Sequence, residues 1–572
     1  MLWDDSKSWF EFAIWENPRM LCHIENYLVV DRTNLFFYFG SKLCLWVLLA
    51  FGTTIVGPTA VFAQEKVFVY CSEGSPSTFN PQLAVDGPTF NASSRMIYNR
   101  LVDFESGGTK VIPSLAESWV VSKDGLEFIF KLRRDVSFQK TDTFNPKRKF
   151  NADDVIWSFN RMRDKSHPFN RIGGGNYEYF TSMEMDKIIK DIIKVDEYTV
   201  KFKLSHPEAP FLSNLGMDFA SITSAEYGTQ LLTAGNPDKL DIEPVGTGPF
   251  VFRRYVKDTL IRYEANPGYF LGRPKLDKVV FSITKDPSVR YQKLKTGECQ
   301  LIAEPSPTDL KAMGSNPNIK VVQQPGLNVG YLAMNVEKKP FDNVLVRRAI
   351  HHALNRSSYI EAIYLGNAKV AVNPIPPTMW SYNGDVKDYG YDLAAARTLL
   401  EKAGLAKGFE VELWTLPVSR PYLPNGKKMG ELIQADLSKI GIKVKLVSYD
   451  WPTYLAKARK GEHQLIQLGW TGDNGDPDNF FGILLGCAAV EAGSNVARWC
   501  NKEFAQLIEK ARLTTDLAKR TQFYREAQQI FKREAPWVTL AHSTVFRAMT
   551  DRVQGYRLNP FGTESFFEVD LK

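Results

Sequence analysis

The chain has 572 residues, 44% hydrophobic and 24% charged, with a formal charge of +7. That length exceeds what one hydrophobic core holds and implies two or three domains, and the composition excludes a disordered or collagen-like chain. So small a charge gives no extended field for nucleic acid, and the one basic cluster, Lys147, Arg148 and Lys149 beside Pro146, reads as a solvated loop.

At the start of the chain, Leu43 to Phe51 form a nearly unbroken apolar run. Lys42 precedes it, Gly57 and Pro58 follow, and Val61, Phe62 and Ala63 supply a small-residue cleavage site. This is the pattern of a secretory signal peptide, and the run is too short to span a bilayer. The residues before Leu35 fit it poorly, because Asp4, Asp5, Glu11, Glu16 and Glu25 are foreign to a signal's first region. A mis-assigned start, with initiation at Leu35, accounts for them. Neither Cys44 nor Cys71 follows a lipobox, so removal of residues 1–63 is expected to leave a protein free in a Gram-negative periplasm. Removal takes away four basic and six acidic residues and brings the charge to +9. It leaves Cys71, Cys299, Cys487 and Cys500, an even set without a CxxC pair. In an oxidising compartment such a set points to two disulfides rather than a metal site.

From 66 to 250 alternation dominates. Phe128, Phe130 and Leu132 follow a turn at Asp124 and Gly125, and Val200, Phe202 and Leu204 follow one at Asp196 and Glu197; both predict hairpin strands with one buried face. Between them Asn151 caps a helix with Val155, Ile156 and Phe159 on its apolar side. Gly246 to Pro249 turn the chain into a strand over 250–255, and a further strand is predicted over 279–283. Beyond a boundary near Gly326 the texture changes to alternating strands and helices. Its most legible part is a βαβαβ unit: a strand at Phe409 to Leu413, a helix from Met429 to Ile440, a strand at 442–447, a helix at 451–460 and a strand at 464–470.

Parallel sheets bind ligands beyond the carboxyl ends of their strands, and two odd loops stand there. Thr415 to Gly426 is about twice the usual length of a strand-to-helix connection, is stiffened by Pro417, Pro421 and Pro424, and carries Arg420. The other is the polar, glycine-rich GWTGDNGDPDNFF from Gly469, carrying Asp473. One anchored anion and one anchored cation at neighbouring strand ends make a site for a small zwitterion. Signatures of catalysis are scarce: GxxxxGK(S/T), GxSxG, HExxH and a strand-linked GxGxxG do not occur in the chain, and His351 and His352, adjacent on a helix, point to different faces. No catalytic residue, metal or cofactor is expected. The competing enzyme reading is a secreted hydrolase using the carboxylates of 473–478.

Several collinear blocks carry a resemblance: VYCSEGSPSTFNPQ from Val69, AESWVVSKDGLEFIFKLR from Ala116, PEAPFLSNLGMDFAS from Pro207, VGTGPF from Val245, PGLNVGYLAMNV from Pro325, IPPTMWSYN from Ile375 and the Gly469 block. Over essentially all of 66–572 the chain resembles the extracellular solute-binding proteins of family 5, the periplasmic peptide-binding components of ABC importers. The resemblance implies an α/β, two-lobed periplasmic binding protein of type II with an extra third domain and a ligand cleft between the lobes. Lobe I would comprise 66–98, 248–325 and 545–572, the extra domain 99–247 packed on it, and lobe II 326–544. It implies disulfides Cys71–Cys299 and Cys487–Cys500. It also implies a dipeptide ligand, with Asp473 on the α-ammonium, Arg420 on the α-carboxylate, and Tyr422 with Pro421 and the backbone of Trp470, Thr471 and Gly472 along the peptide unit. One departure stands out. In the loop after Pro81, where the family has a small hydroxyl residue, this chain has Ala84, Val85, Asp86 and Gly87, and Asp86 is expected as a second anion near the ammonium. The implied partners are the transmembrane subunits of an ABC permease with a separate ATPase, and the protein is expected to be a monomer. Haem, glutathione and longer peptides are alternative ligands on the same scaffold.

Overall fold

The computed structural model describes residues 65–572; the signal-peptide reading of 1–63 lies outside them. Val67–Ser72, with Phe68 and Tyr70 fully buried, runs parallel to Lys278–Ile283 and to Leu301–Ile302. Antiparallel Leu260–Ala265 and Phe250–Val256 complete that side of a twelve-stranded sheet. On its other side Lys443–Val447, Glu410–Trp414 and Leu465–Thr471 are parallel, and Asn328–Met334 lies antiparallel against the last of them. With helices Gly426–Ser438 and Trp451–Arg459 these strands form the expected βαβαβ unit, within about two residues of the sequence boundaries, the usual scatter of helix and strand ends.

One fourteen-residue strand, Trp537–Thr550, belongs to both sides. Its beginning pairs with Asn328–Met334, Trp537 opposite Ala333, and its end with Ile319–Pro325, Thr550 opposite Ile319. The two lobes of this α/β fold are thus joined by two antiparallel crossings. Gly326 lies at the junction and donates its N–H to Ser543 O at 2.9 Å. Asn328 locks the same point: its Oδ1 accepts from Ser543 N at 3.0 Å, and its carbonyl accepts from His542 Nδ1 at 2.8 Å. A joint of few residues, firmly hydrogen-bonded on either side, suits a hinge.

A separate antiparallel sheet orders Ala116–Val121, Glu127–Leu132, Thr199–Leu204 and Ile189–Asp196, so both hairpins expected from alternation form. Helix Ala152–Arg163 starts at Asn151 in a capping box with Asp154 and buries Val155 and Phe159. Arg148 of the basic cluster forks onto Asp154 at 2.6 and 2.8 Å. His351 is buried with Nε2 on Trp537 O at 2.7 Å, whereas His352 turns outward to Gly390 O. Cys71 is bonded to Cys299 and Cys487 to Cys500; closing the second, shorter loop contributes about 3 kcal/mol in the chain-entropy account. Among the described residues no helix is long and apolar enough to cross a membrane.

Candidate functional site

Strand Glu410–Trp414 runs parallel to Leu465–Thr471 with its last residue, Trp414, opposite Ile466, so the two strand ends are not level: Leu465–Thr471 runs five residues further in the same direction, alongside the loop that follows Trp414. That loop is long yet fixed. Arg420 and Leu423 exchange two backbone hydrogen bonds of 3.2 and 3.0 Å. Pro421 O accepts from Ser543 Oγ at 2.6 Å, and Tyr422 O accepts from Tyr364 OH at 2.8 Å. The loop also lies on two glycines: a Cβ at Gly469 would stand 2.2 Å from the Tyr422 ring, and one at Gly330 would stand 2.4 Å from Tyr422 O. Only a residue without a Cβ permits both approaches. Arg420, so placed, stacks over the Trp451 ring at 4.8 Å from the centroid, a cation–π contact. Its Nη1 stands 3.8 Å from Glu73 Oε1.

The second loop turns on Asn479. Its Oδ1 accepts from Asp473 N at 2.9 Å and from Trp470 Nε1 at 3.0 Å, which fixes both residues. Asp473 is buried, and its Oδ2 accepts from Tyr179 OH at 2.7 Å. Burial pushes the Asp473 carboxyl up to about 7, and nearby Asp218 adds to the rise while the Tyr179 bond opposes it. The other two carboxylates are directed elsewhere. Asp476 accepts from Arg520 Nη2 at 2.8 Å, and burial, opposed by Arg512, pushes Asp478 up to about 6. Only Asp473 of the three lines the cavity.

That cavity, of about 140 Å³, is bounded by Arg420, Pro421, Tyr422, Trp451, Trp470, Thr471 and Asp473 and, from the N-terminal part of the chain, by Glu73, Val85, Asp86, Gly87 and Tyr179. One predicted site residue falls outside it. Gly472 gives its N–H to Leu327 O at 2.7 Å, so that donor is used within the fold. Asp86 lines the cavity, but as the cap of helix Gly87–Ala92: its oxygens accept from Thr89 N at 3.1 Å, Thr89 Oγ1 at 2.9 Å and Ser77 Oγ at 3.1 Å. A carboxylate with three donors already has little capacity for an ammonium.

Tyr179, Trp451 and Glu73 were not singled out from the sequence. Trp451 had a signal, since it opens the helix after Lys443–Val447, at the same carboxyl edge as the two loops. Tyr179 had none; it sits in the five-residue helix Glu178–Ser182, 294 positions from the carboxylate it meets.

Residues 110–492 match the family described as bacterial extracellular solute-binding proteins, family 5 Middle. The chain is 50% identical over 526 residues to the dipeptide-binding protein of Escherichia coli (strain K12), covering 92% of this chain and 98% of that one. It is 46% identical over 509 residues to heme-binding protein A of Haemophilus influenzae, covering 89% and 93% of the two chains. The structure matches the crystal structure of a dipeptide-binding protein from Pseudoalteromonas sp. SM9913 in complex with Met-Leu with a TM-score of 0.86 at 39% identity, over 89% of this chain and 100% of that one. Sequence, fold and cavity therefore agree, and the chain belongs to the bacterial extracellular solute-binding proteins of family 5.

Proposed function

We propose that this protein captures dipeptides in the periplasm by their charged termini and delivers them to the membrane permease of an ABC importer. The observation that carries the reading is that one buried carboxylate, Asp473, and one stacked guanidinium, Arg420, line the same cavity. A dipeptide zwitterion brings the opposite charge to each, and a buried charge needs such a partner. Two extended residues span only about 7 Å, so the separation of the two groups gauges ligand length. Affinity then resides in termini and backbone, and side-chain sequence is tolerated.

Cavity size supports a ligand of this scale. About 140 Å³ corresponds to on the order of ten water-sized positions, room for a small ligand. Similarity to a haem-binding relative makes haem the second ligand to test. The purified protein is titrated calorimetrically with Ala-Ala and with haem, and the solution is then assayed for free alanine. Saturable binding of Ala-Ala at one site, with the peptide recovered intact, is expected. Steady release of alanine would replace the transport reading with the hydrolase one, and haem binding without dipeptide binding would replace the ligand.

A further inference from the structure

The cavity is not charge-balanced at its Arg420 end. Glu73 lines it with a side chain only 10% exposed, and its Oε2 has no hydrogen-bond partner among the described residues. Its other oxygen has only the 3.8 Å approach of Arg420. A second carboxylate, Glu304, lines the same end and pairs with Arg547 Nη1 at 3.0 Å. Arg547 is also bonded to buried Glu564, so this guanidinium already serves two acids. The remaining nearby cation, Arg290, directs its N–H groups at the carbonyls of Ala303, Thr284, Lys285 and Glu304 rather than at a carboxylate. When a ligand carboxylate takes Arg420, Glu73 therefore loses its one ion-pair partner, keeps only the through-space field of Arg290, and stands buried beside a second negative group. An unpaired carboxylate in that position is costly to keep. A cation supplied by the ligand removes the cost.

We propose that Glu73, backed by Glu304, forms an acidic subsite beside Arg420 that selects dipeptides whose C-terminal residue is lysine or arginine. This rests on the reading that Arg420 holds the α-carboxylate. Reach agrees with it. Glu73 Oε1 is 3.8 Å from Arg420 Nη1, and a hydrogen bond adds about 3 Å, so the bound carboxylate lies within about 7 Å of Glu73. A lysine ammonium extends about 6 Å from its Cα and meets the carboxylate at hydrogen-bond distance. Norleucine has nearly the same length and no charge. The Asp473 end has no equivalent: its neighbouring acids are already paired, Glu178 with Arg459 and Asp218 with Arg95.

The test is a calorimetric series on the full protein with Ala-Ala, Ala-Lys, Ala-norleucine, Lys-Ala and norleucine-Ala, repeated on Glu73→Gln. Ala-Lys is expected to bind at least tenfold more tightly than Ala-norleucine, and Lys-Ala within about threefold of norleucine-Ala. In E73Q the first ratio should fall below two, while Ala-Ala binds more tightly because a negative neighbour of its carboxylate is gone. Equal affinities for Ala-Lys and Ala-norleucine in the native protein overturn the subsite without recourse to any variant. A lysine preference that survives in E73Q, or that appears at the first residue instead, overturns the assignment to Glu73. If Ala-Ala itself does not bind, the dipeptide reading beneath the inference is what has failed.

Discussion

Asp473 and Arg420 are held by different means, and the difference decides how each responds to change. Arg420 is stacked on Trp451; Asp473 is a buried acid whose carboxyl burial pushes up to about 7. Removing one partner of a buried charge pair costs about 2–5 kcal/mol, against roughly −8 kcal/mol for a micromolar complex. Arg420→Ala and Asp473→Asn should each weaken calorimetric binding of Ala-Ala by about thirtyfold to a few thousandfold. The pH dependence has a definite sign. Because burial raises the Asp473 carboxyl from its ordinary 3.8 to about 7, the group keeps its proton below about pH 7. An ammonium needs the carboxylate, so that proton must leave on binding. Affinity should be greatest near about pH 7 to 8, weaken below about 7 by up to about tenfold per unit as Asp473 takes its proton, and weaken above about 8 as the peptide loses its own α-ammonium charge; Tyr179 and Asp218 are the charged and hydrogen-bonding neighbours of the carboxyl. Asp473 and Arg420 were legible because each sits in a loop too polar or too long for its place. Glu73 was not, because its importance comes from what fails to pair with it, and pairing is a tertiary fact.

At the level of elements, the loop carrying Arg420 works because it lies against strands that offer no side chain. Gly469 and Gly330 form a flat seat for Tyr422, and Ser543, at the strand crossing, holds Pro421 O. The cleft loop and the hinge are thereby one hydrogen-bonded unit. Gly469→Ala should push the Tyr422 ring off its seat and weaken dipeptide binding by about tenfold or more, checked by calorimetry. A thermal melt of the same variant should move by only a few degrees, as for a strain of about 1–3 kcal/mol. Unchanged affinity would mean that Tyr422 does not help position the ligand. Period-two alternation and the Asn151 cap gave the hairpins and the first long helix almost to the residue, since each depends on neighbours in sequence. The fourteen-residue strand Trp537–Thr550 escaped notice. It is buried along nearly its whole length, so it lacks the alternation that marks a half-exposed strand.

For the whole molecule, the contacts that join residues 179–214 to residues 473–512 draw on positions far apart in the chain. Besides Tyr179 on Asp473, Asn474 Nδ2 donates to Asn214 Oδ1 at 2.9 Å, Ala209 N donates to Arg512 O at 2.8 Å, and Arg512 Nε donates to Glu208 Oε1 at 2.9 Å. No local pattern foretells them, whereas the two-lobed architecture followed from collinear blocks spread along the chain. Closure gains from a ligand only when that ligand touches both walls, so a zwitterion held by Arg420 and Asp473, which stand on the same wall, must also meet the wall of Glu73, Val85 and Tyr179. The most direct measurement is a calorimetric comparison of Ala-Ala with N-acetyl-Ala-Ala and with Ala-Ala-amide. Loss of binding on blocking either end, by at least a hundredfold, is the result this account predicts. Either blocked peptide binding as well as the free one would contradict it, because the cavity would then be reading something other than that terminal charge.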